Sequence, residues 1–215
     1  MRQRLLTDLG ERILALPAAW VQRIAIDGVD GAGKTTFADQ LAALISPLRT
    51  VIRAGVDGFH QPRALRYSRG RTSPEGFYLD SYDYPGLIAA LLAPLSPGGS
   101  GHYRSALFDH HSDSPVALPP ATASPDAILL FDGIFLHRPE LIGFWDFSIF
   151  LEVDFAVSIP RGAQRGMGSP DPAAASNRRY IEGQKLYLQA CQPQRHASLV
   201  IDNNELARPR IIVSD

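Results

Sequence analysis

Residues 28–36 of the chain read Gly-Val-Asp-Gly-Ala-Gly-Lys-Thr-Thr. They match the spacing G-x-x-x-x-G-K-[ST] in full, after a short apolar run at 21–27 and before a helical pattern that extends to about residue 45. Glycines let backbone N–H groups converge on phosphate oxygens, and the following helix directs its positive N-terminal end at the same anion. The spacing therefore predicts a loop that binds nucleotide phosphates between a strand and a helix.

The residues of this loop have distinct expected roles. Lys34 is expected to reach the β- and γ-phosphates of ATP, and the Thr35 hydroxyl is expected to bind Mg²⁺. The other residues expected to contact ATP are Gly28, Asp30, Gly31, Ala32, Gly33 and Thr36. The second lysine of the chain, Lys185, is followed by Leu-Tyr, so it does not belong to the Asn-Lys-x-Asp motif that reads guanine. That absence argues against a guanine-specific switch protein.

Composition and charge restrict the remaining classes of function. The chain has 215 residues, of which 45% are hydrophobic and 20% charged, and its formal net charge is −1. These values are typical of one globular domain and give no overall attraction to nucleic acid or anionic lipid. The longest nearly apolar run, Leu87 to Leu95, is too short for a membrane span. We therefore expect a single cytoplasmic domain over residues 1–215, with the oligomeric state left open.

Strand and helix patterns alternate along the chain. Strands are predicted at 21–27, 50–55, 127–131, 147–153 and 199–202, and helices at 3–16, after the loop to about 45, and at 83–95, 154–165 and 177–191. This alternation indicates an α/β fold, a P-loop NTPase fold with a mostly parallel sheet between helices. Residues 58–82 are predicted to be loop-rich and substrate-facing. Residues 96–125 are predicted to form an irregular insert with a short hairpin near 102–108, and residues 161–178 a lid.

Three acidic residues stand at or near element ends, where open α/β sheets bind ligands. Asp57 follows the second strand, and a carboxylate there can accept a substrate hydroxyl proton and help to order Mg²⁺. Asp132 follows the third strand and is expected to hold Mg²⁺ through water. Asp83 precedes a predicted helix, which leaves an N-cap and a ligand of sugar hydroxyls as alternatives. Its neighbour Tyr82 is expected either to stack on a base or to pack in the core.

Two further groups of side chains have open roles. A basic run is expected to be either a solvated loop or a guide for an anionic substrate, and it consists of Arg63, Arg66, Arg69 and Arg71. The pair His110 and His111 is expected to contact substrate or to lie in an exposed loop.

The sequence resembles the uridine kinase branch of the phosphoribulokinase/uridine kinase/pantothenate kinase family of P-loop kinases. The similar stretches are GVDGAGKTT at 28–36, DGFH at 57–60, SYDYP at 81–85, ILLFDGIFL at 128–136, FWDFSIFLEVD at 144–154, RRYIEGQKLYL at 178–188 and ASLVIDN at 197–203. The resemblance implies an ATP- and Mg²⁺-dependent kinase that acts on a hydroxyl of a small, nucleoside-like acceptor such as uridine or cytidine. It implies that Asp57 is the catalytic base and that Asp83 binds ribose hydroxyls.

The resemblance also bears on the rest of the site. It places Arg161 and Arg165 on the helix that leads into the lid, as catalytic cations. His60 stands where the family more usually has Tyr, beside the acceptor. Kinases of pantothenate and of nicotinamide riboside share the same framework, so the acceptor stays open. A regulatory ATPase without a small-molecule acceptor is the alternative from a different class.

Overall fold

Buried apolar runs form the strands of a central sheet. The computed structural model of the chain describes residues 1–214. Within them the strands are β1 (Gln22–Gly28), β2 (Val51–Gly55), β3 (His102–Tyr103), β4 (Phe108–Asp109), β5 (Ser114–Pro115), β6 (Ala121–Thr122), β7 (Ile128–Gly133), β8 (Phe147–Glu152), β9 (Leu199–Asp202) and β10 (Arg210–Ser214). Every residue of β1 and of β7 is buried, as expected for strands covered on both faces.

Six strands make one sheet in the order β10-β9-β8-β1-β7-β2. The pairs β1/β7, β1/β8, β2/β7 and β8/β9 are parallel, whereas β10 pairs with β9 antiparallel. Strand β1 is flanked by β8 and β7, so its carboxyl end opens at the middle of the sheet edge. The prediction of an α/β fold with a mostly parallel sheet is confirmed, and that edge is where such sheets bind ligands.

Helices cover both faces of the sheet. They are α1 (Arg2–Leu14), α2 (Lys34–Ile45), α3 (Arg63–Arg66), α4 (Pro74–Asp80), α5 (Tyr84–Leu87), α6 (Phe155–Ala163), α7 (Arg178–Cys191) and α8 (Pro193–His196). Neighbouring residues of β1 face opposite cores: Ile24 and Ile26 pack with side chains of α1 and α2, whereas Ala25 packs with side chains of α4, α5 and α7. The period of two along each strand thus divides the core into two layers.

One detail of the sequence prediction is wrong, and another is correct in position but not in helix type. The hairpin expected near 102–108 does not form, because the N–H of Leu107 bonds to the carbonyl of Gly58 and β3 and β4 pair instead with β6 and β5. The helix expected at 83–95 is an α-helix only over α5. It continues as a π-helix over Ile88–Leu92, where the N–H of Ala93 bonds to the carbonyl of Ile88.

Several short elements were not predicted, namely α3, α4, α8 and β10. Helices α3 and α4 lie in the stretch expected to be loop-rich, and β10 adds an antiparallel edge strand. In the part of the chain that the structure describes, no helix combines the length and the apolar character needed to cross a bilayer.

Candidate active site

The loop between β1 and α2 has the backbone of an anion-binding turn. Gly31 and Gly33 have left-handed φ values of 75° and 93°, and a Cβ on Gly31 would lie 2.1 Å from the Ser158 carbonyl oxygen. Only glycine meets both constraints at Gly31. Lys34 Nζ donates to the Val29 carbonyl at 3.0 Å, which holds the ammonium group over the loop at the positive end of α2.

Oxygen atoms of a type that suits a hard cation lie beside this loop. The Thr35 hydroxyl donates to Asp132 Oδ2 at 2.7 Å, and Arg53 Nη2 donates to Asp132 Oδ1 at 2.9 Å. Parallel pairing of β7 with β1 and β2 sets Asp132 opposite Ile26 and Gly55. Residues 1–214 contain no cluster of three or more His, Cys, Asp or Glu side chains suited to a metal. One hydroxyl and one carboxylate fit Mg²⁺, which keeps most of its ligands as water and phosphate oxygens.

A buried polar network holds the strand end behind the loop, and no sequence pattern indicated it. Asp27 is fully buried, and its Oδ1 accepts from the N–H of Gly28 at 2.7 Å. Its Oδ2 accepts from the Leu136 N–H at 3.2 Å, from His137 Nδ1 at 2.7 Å and from the Tyr187 hydroxyl. A buried carboxylate is costly unless its oxygens are hydrogen-bonded, so this network couples the start of the loop to α7 and to the segment after β7.

Asp57 lies at the junction of two clefts. It sits on a 3₁₀ turn, Val56–Phe59, directly after β2. One cleft, of about 140 Å³, is lined by Asp57 together with Lys34, Thr35 and Asp132, and we call it the phosphate cleft. The other cleft, of about 380 Å³, is also lined by Asp57 but not by Lys34, Thr35 or Asp132, and we call it the acceptor cleft. A carboxylate shared by both clefts can touch groups bound in either.

Aromatic rings surround Asp57 on the acceptor side. The Tyr82 hydroxyl donates to Asp57 Oδ1 at 3.4 Å, and His60 Nδ1 lies 2.9 Å from the Asp57 carbonyl oxygen. The His60 ring is 4.5 Å from the Tyr82 ring and stacks on the His110 ring at 4.6 Å between centroids. Burial lowers the pKa of His60 and of His110. It raises the pKa of Tyr82 well above its usual range, so the phenol stays protonated and can donate to the carboxylate.

Asp30 is a second carboxylate at the same junction, because it lines both the phosphate and the acceptor cleft. Its backbone N–H donates to Gln184 Oε1 at 2.6 Å, which fixes this part of the loop against α7. Burial raises the pKa of the Asp30 carboxyl, Lys34 lowers it, and the negative charge of Asp57 raises it. The Asp30 carboxyl therefore holds its proton to a higher pH than an ordinary aspartate does.

The two arginines expected before the lid occupy different positions. Both line a groove of about 410 Å³ that also contains Thr36 and Gln40 of α2. Arg161 donates to the carbonyl of Asn203 at 3.0 Å and to that of Asn204, so it holds the turn after β9. Arg165 also lines the phosphate cleft, and its exposed side chain makes no ion pair within residues 1–214. Of the two arginines, Arg165 is the one that lines the phosphate cleft.

Asp83 does not line the acceptor cleft. Its Oδ1 accepts from the N–H of Gly86 at 3.0 Å, and its own N–H donates to the Phe59 carbonyl at 2.8 Å. This is the geometry of an N-cap on α5. Of the residues expected to bind substrate, the structure brings Asp57, His60 and Tyr82 together in the acceptor cleft and leaves Asp83 behind them.

The basic run at 63–71 was not among the site residues predicted from the sequence, but the structure places two of its arginines in the acceptor cleft. Arg63 and Arg66 line the acceptor cleft, as does Arg179 of α7. The Arg179 guanidinium donates to the carbonyls of Gly70, Arg71, Ser73 and Arg66 and so fixes the loop between α3 and α4. The clustering of arginines was visible in the sequence, but the direction of their side chains was not.

Solved structures resemble this fold over almost the whole chain. A protein described as a possible uridine kinase, from Bacillus stearothermophilus, matches with a TM-score of 0.73 and 25% identity over 93% of this chain and 99% of its own. A candidate fructose transport system kinase from Silicibacter sp. TM1040 matches with a TM-score of 0.69 and 26% identity over 86% of this chain and 94% of its own.

A more distant likeness extends the same fold to another kinase. D-glycerate 3-kinase from Cryptococcus neoformans matches with a TM-score of 0.59 and 9% identity over 100% of this chain and 99% of its own. No protein-family model and no curated protein matches the sequence. With its mostly parallel sheet and glycine loop, and by its likeness to these structures, the chain has the fold of the P-loop kinases of the uridine kinase, phosphoribulokinase and pantothenate kinase family.

Proposed function

We propose that this chain is an ATP-dependent kinase that transfers the γ-phosphoryl group to a hydroxyl of a small molecule bound in the acceptor cleft. The observation that carries the proposal is the position of Asp57 at the junction of the phosphate and acceptor clefts. A general base must reach the acceptor hydroxyl while that hydroxyl lies next to the phosphoryl group, and the position of Asp57 between the two clefts supports this role.

The proposed reaction is a direct displacement at phosphorus. The acceptor oxygen attacks the γ-phosphorus while the bond from that phosphorus to the bridging oxygen of ADP breaks. The hydroxyl proton passes to Asp57, and the products are ADP and a phosphate ester of the acceptor. Lys34, the loop N–H groups and Arg165 stabilise the charge on the phosphoryl oxygens, which is the main catalytic demand of such a transfer.

The residues that would hold Mg²⁺ are Thr35, through its hydroxyl, and Asp132, through water. Held there, Mg²⁺ would supply positive charge that offsets part of the negative charge of the phosphates. The hydrogen bond between these two side chains shows that they already converge, and Arg53 keeps the Asp132 carboxylate oriented.

A nucleoside such as uridine or cytidine is one acceptor within this proposal. The description of the Bacillus protein supports it, and the rings of His60, His110 and Tyr82 offer an aromatic surface to a base. Asp83, the residue expected to bind a ribose diol, caps a helix and does not line the acceptor cleft. Sugars, pantothenate and nicotinamide riboside therefore belong in the same test.

The test is ADP release at saturating ATP and Mg²⁺ with a panel of nucleosides, sugars, sugar acids and vitamins. We expect a low basal rate that at least one acceptor raises by several orders of magnitude, with a phosphate ester as the product. An ATPase rate that no metabolite changes, but that a protein partner raises, would contradict the kinase and support a regulatory ATPase.

A further inference from the structure

The two ends of the acceptor cleft differ in charge. The carboxylates that line it, Asp30 and Asp57, also line the phosphate cleft and so mark the end next to Lys34. Arg63, Arg66 and Arg179 line the acceptor cleft alone. Positive charge is therefore concentrated at the end away from the phosphate loop, in a chain whose overall charge is close to zero.

Within residues 1–214, the partners of these three arginines leave part of the positive charge uncompensated. Asp113 Oδ1 accepts from Arg66 Nη2 at 3.1 Å, and it also accepts from the backbone N–H of Arg63 at 2.8 Å. The acceptors of Arg179 are neutral carbonyls. The exposed Arg63 side chain has no ion-pair partner within residues 1–214. Among the described residues, the one ion pair that these three guanidinium groups form is that of Arg66 with Asp113.

Arg66 also retains an unused donor. Its side chain is 12% exposed, yet the buried Nε has no hydrogen-bond partner in the described part of the chain. A buried, unpaired N–H of a charged group is costly, and such groups in native proteins usually have a partner. Guanidinium groups bind carboxylates and phosphates through paired N–H donors, so an anion is the partner that would use this one best.

We propose that the acceptor carries an anionic group, a carboxylate or a phosphate, which Arg63 and Arg66 bind at this end of the acceptor cleft while the reacting hydroxyl lies against Asp57. The proposal rests on the proposed kinase function and specifies its substrate class. A neutral nucleoside could accept a hydrogen bond from Arg66 but would leave the excess positive charge uncompensated. The neutral rings of His60 and His110 would then form a wall of the cleft between its two ends.

Matched pairs of ligands test the proposal. The pairs are D-glycerate and glycerol, pantothenate and panthenol, and D-fructose 6-phosphate and D-fructose, with uridine as a further neutral probe. Binding is measured by calorimetry with Mg²⁺ and a non-hydrolysable ATP analogue, and phosphoryl transfer is measured separately by ADP release. The carboxylate pairs and the sugar phosphate pair distinguish the two kinds of anion.

Three variants give the test its controls. Arg63→Gln alters an exposed side chain and is expected to leave the fold intact, whereas Arg66→Gln removes the unpaired donor together with the ion pair to Asp113. Arg69→Gln is the matched control, because Arg69 belongs to the same basic run but pairs with Asp80 at 2.8 Å and lines neither cleft. We expect an anionic probe to bind at least about 10-fold more tightly than its neutral partner.

We expect Arg63→Gln and Arg66→Gln to raise the KM for that probe by about 10- to 150-fold, with the KM for ATP unchanged and no effect of Arg69→Gln. Equal binding of anionic and neutral partners, or phosphorylation of neutral probes alone, would overturn the anionic site and leave the kinase function standing. An increase in the KM for ATP instead would assign these arginines to the donor and overturn the proposal. Arginine-dependent binding of an anion without ADP release would contradict the kinase function but not the anionic site.

Discussion

Lys34 supplies the ammonium group of the nucleotide loop, in a chain with one other lysine. Lys34→Ala is expected to lower kcat by about 10²-fold or more, because it removes a preorganised positive charge from the phosphoryl group. The melting temperature should change little, since the described structure gives this side chain a single, part-buried hydrogen bond, to the Val29 carbonyl, worth about 1 kcal/mol. Steady-state kinetics and thermal unfolding of the same sample measure both.

The other lysine provides the control for this prediction. Lys185 forms an exposed ion pair with Glu182 at 3.0 Å on α7. Lys185→Ala should leave kcat unchanged. Near-normal turnover of Lys34→Ala would remove the loop from the mechanism.

At the residue scale, local requirements could be predicted and distant pairings could not. The glycine loop could be predicted because all the residues that phosphate binding requires, the glycines and the lysine, lie within nine consecutive positions. Asp27 contacts His137 and Tyr187, which lie 110 and 160 residues away in the sequence. The Arg66 carbonyl accepts a hydrogen bond from Arg179, which lies 113 residues away. Each of these contacts depends on the finished sheet. The sequence allowed two interpretations of the basic run, a solvated loop and a guide for an anionic substrate, and gave no ground for choosing between them.

At the scale of elements, Asp83 is expected to act as a helix cap. Asp83→Ala should lower the free energy of unfolding by about 0.5–2 kcal/mol, the usual cost of losing an N-cap, because the N–H of Gly86 loses its acceptor. The KM for the acceptor should not change, because Asp83 lies outside the acceptor cleft. Chemical denaturation and steady-state kinetics are the two measurements.

Ser73 offers a matched control for the cap. Its hydroxyl accepts from the N–H of Gly76 at 2.9 Å and caps α4 in the same way. Ser73→Ala should therefore resemble Asp83→Ala in both measurements. A raised KM for the acceptor with unchanged stability in Asp83→Ala alone would return Asp83 to the substrate site.

The segment between α6 and α7 is expected to become protected when nucleotide binds. Residues 164–174 form no helix or strand, and Gly166 and Gly168 have φ values of 83° and 69°. Arg165 at the start of this segment lines the phosphate cleft, so closure over phosphates would order it and exclude water. Hydrogen exchange with and without an ATP analogue should show slower exchange at 164–174. The exposed turn at 97–100 serves as the reference, and equal exchange in both states would mean that the segment is no lid.

The elements that were missed lack a strong periodic pattern. Helix α4 has one local signal, Ser73 followed by proline and glutamate, which is typical of a capped first turn. Helices α3 and α8 have four residues each, which is too short for a period to be read. Strand β10 exposes Ile211 and Ile212 at 48% and 49%, so no alternation of buried and exposed residues marks it. The long buried strands, by contrast, were predicted because burial on both faces leaves continuous apolar runs.

For the whole molecule, stability is expected to fall as the pH drops below about 6.5. Burial lowers the pKa of His60 and of His110 from the usual 6.5, so below that pH the unfolded chain binds more protons than the folded one. Their contribution to stability is therefore complete above 6.5 and is lost as the pH falls toward the folded pKa. Melting temperatures at pH 7.5 and about 5.5 should show a smaller drop for the double variant His60→Asn/His110→Asn than for the wild type.

The histidine on β3 provides the comparison for this prediction. His102→Asn replaces an exposed side chain outside the two clefts and should keep the wild-type pH dependence. An equal drop in all three proteins would assign the acid sensitivity to carboxylates elsewhere.

The central claim is that Asp57 accepts the proton of an acceptor hydroxyl while the phosphoryl group moves between the two clefts. Transfer of label from ATP labelled in its γ-phosphate to the acceptor tests it most directly, in the wild type, in Asp57→Asn and in Asp8→Asn, an exposed carboxylate of α1. We predict that the wild type and Asp8→Asn label the acceptor, and that Asp57→Asn does so about 10²- to 10⁴-fold more slowly with unchanged affinity for ATP. Label that appears only as inorganic phosphate, or a loss in Asp57→Asn of ATP affinity alone, would contradict the account.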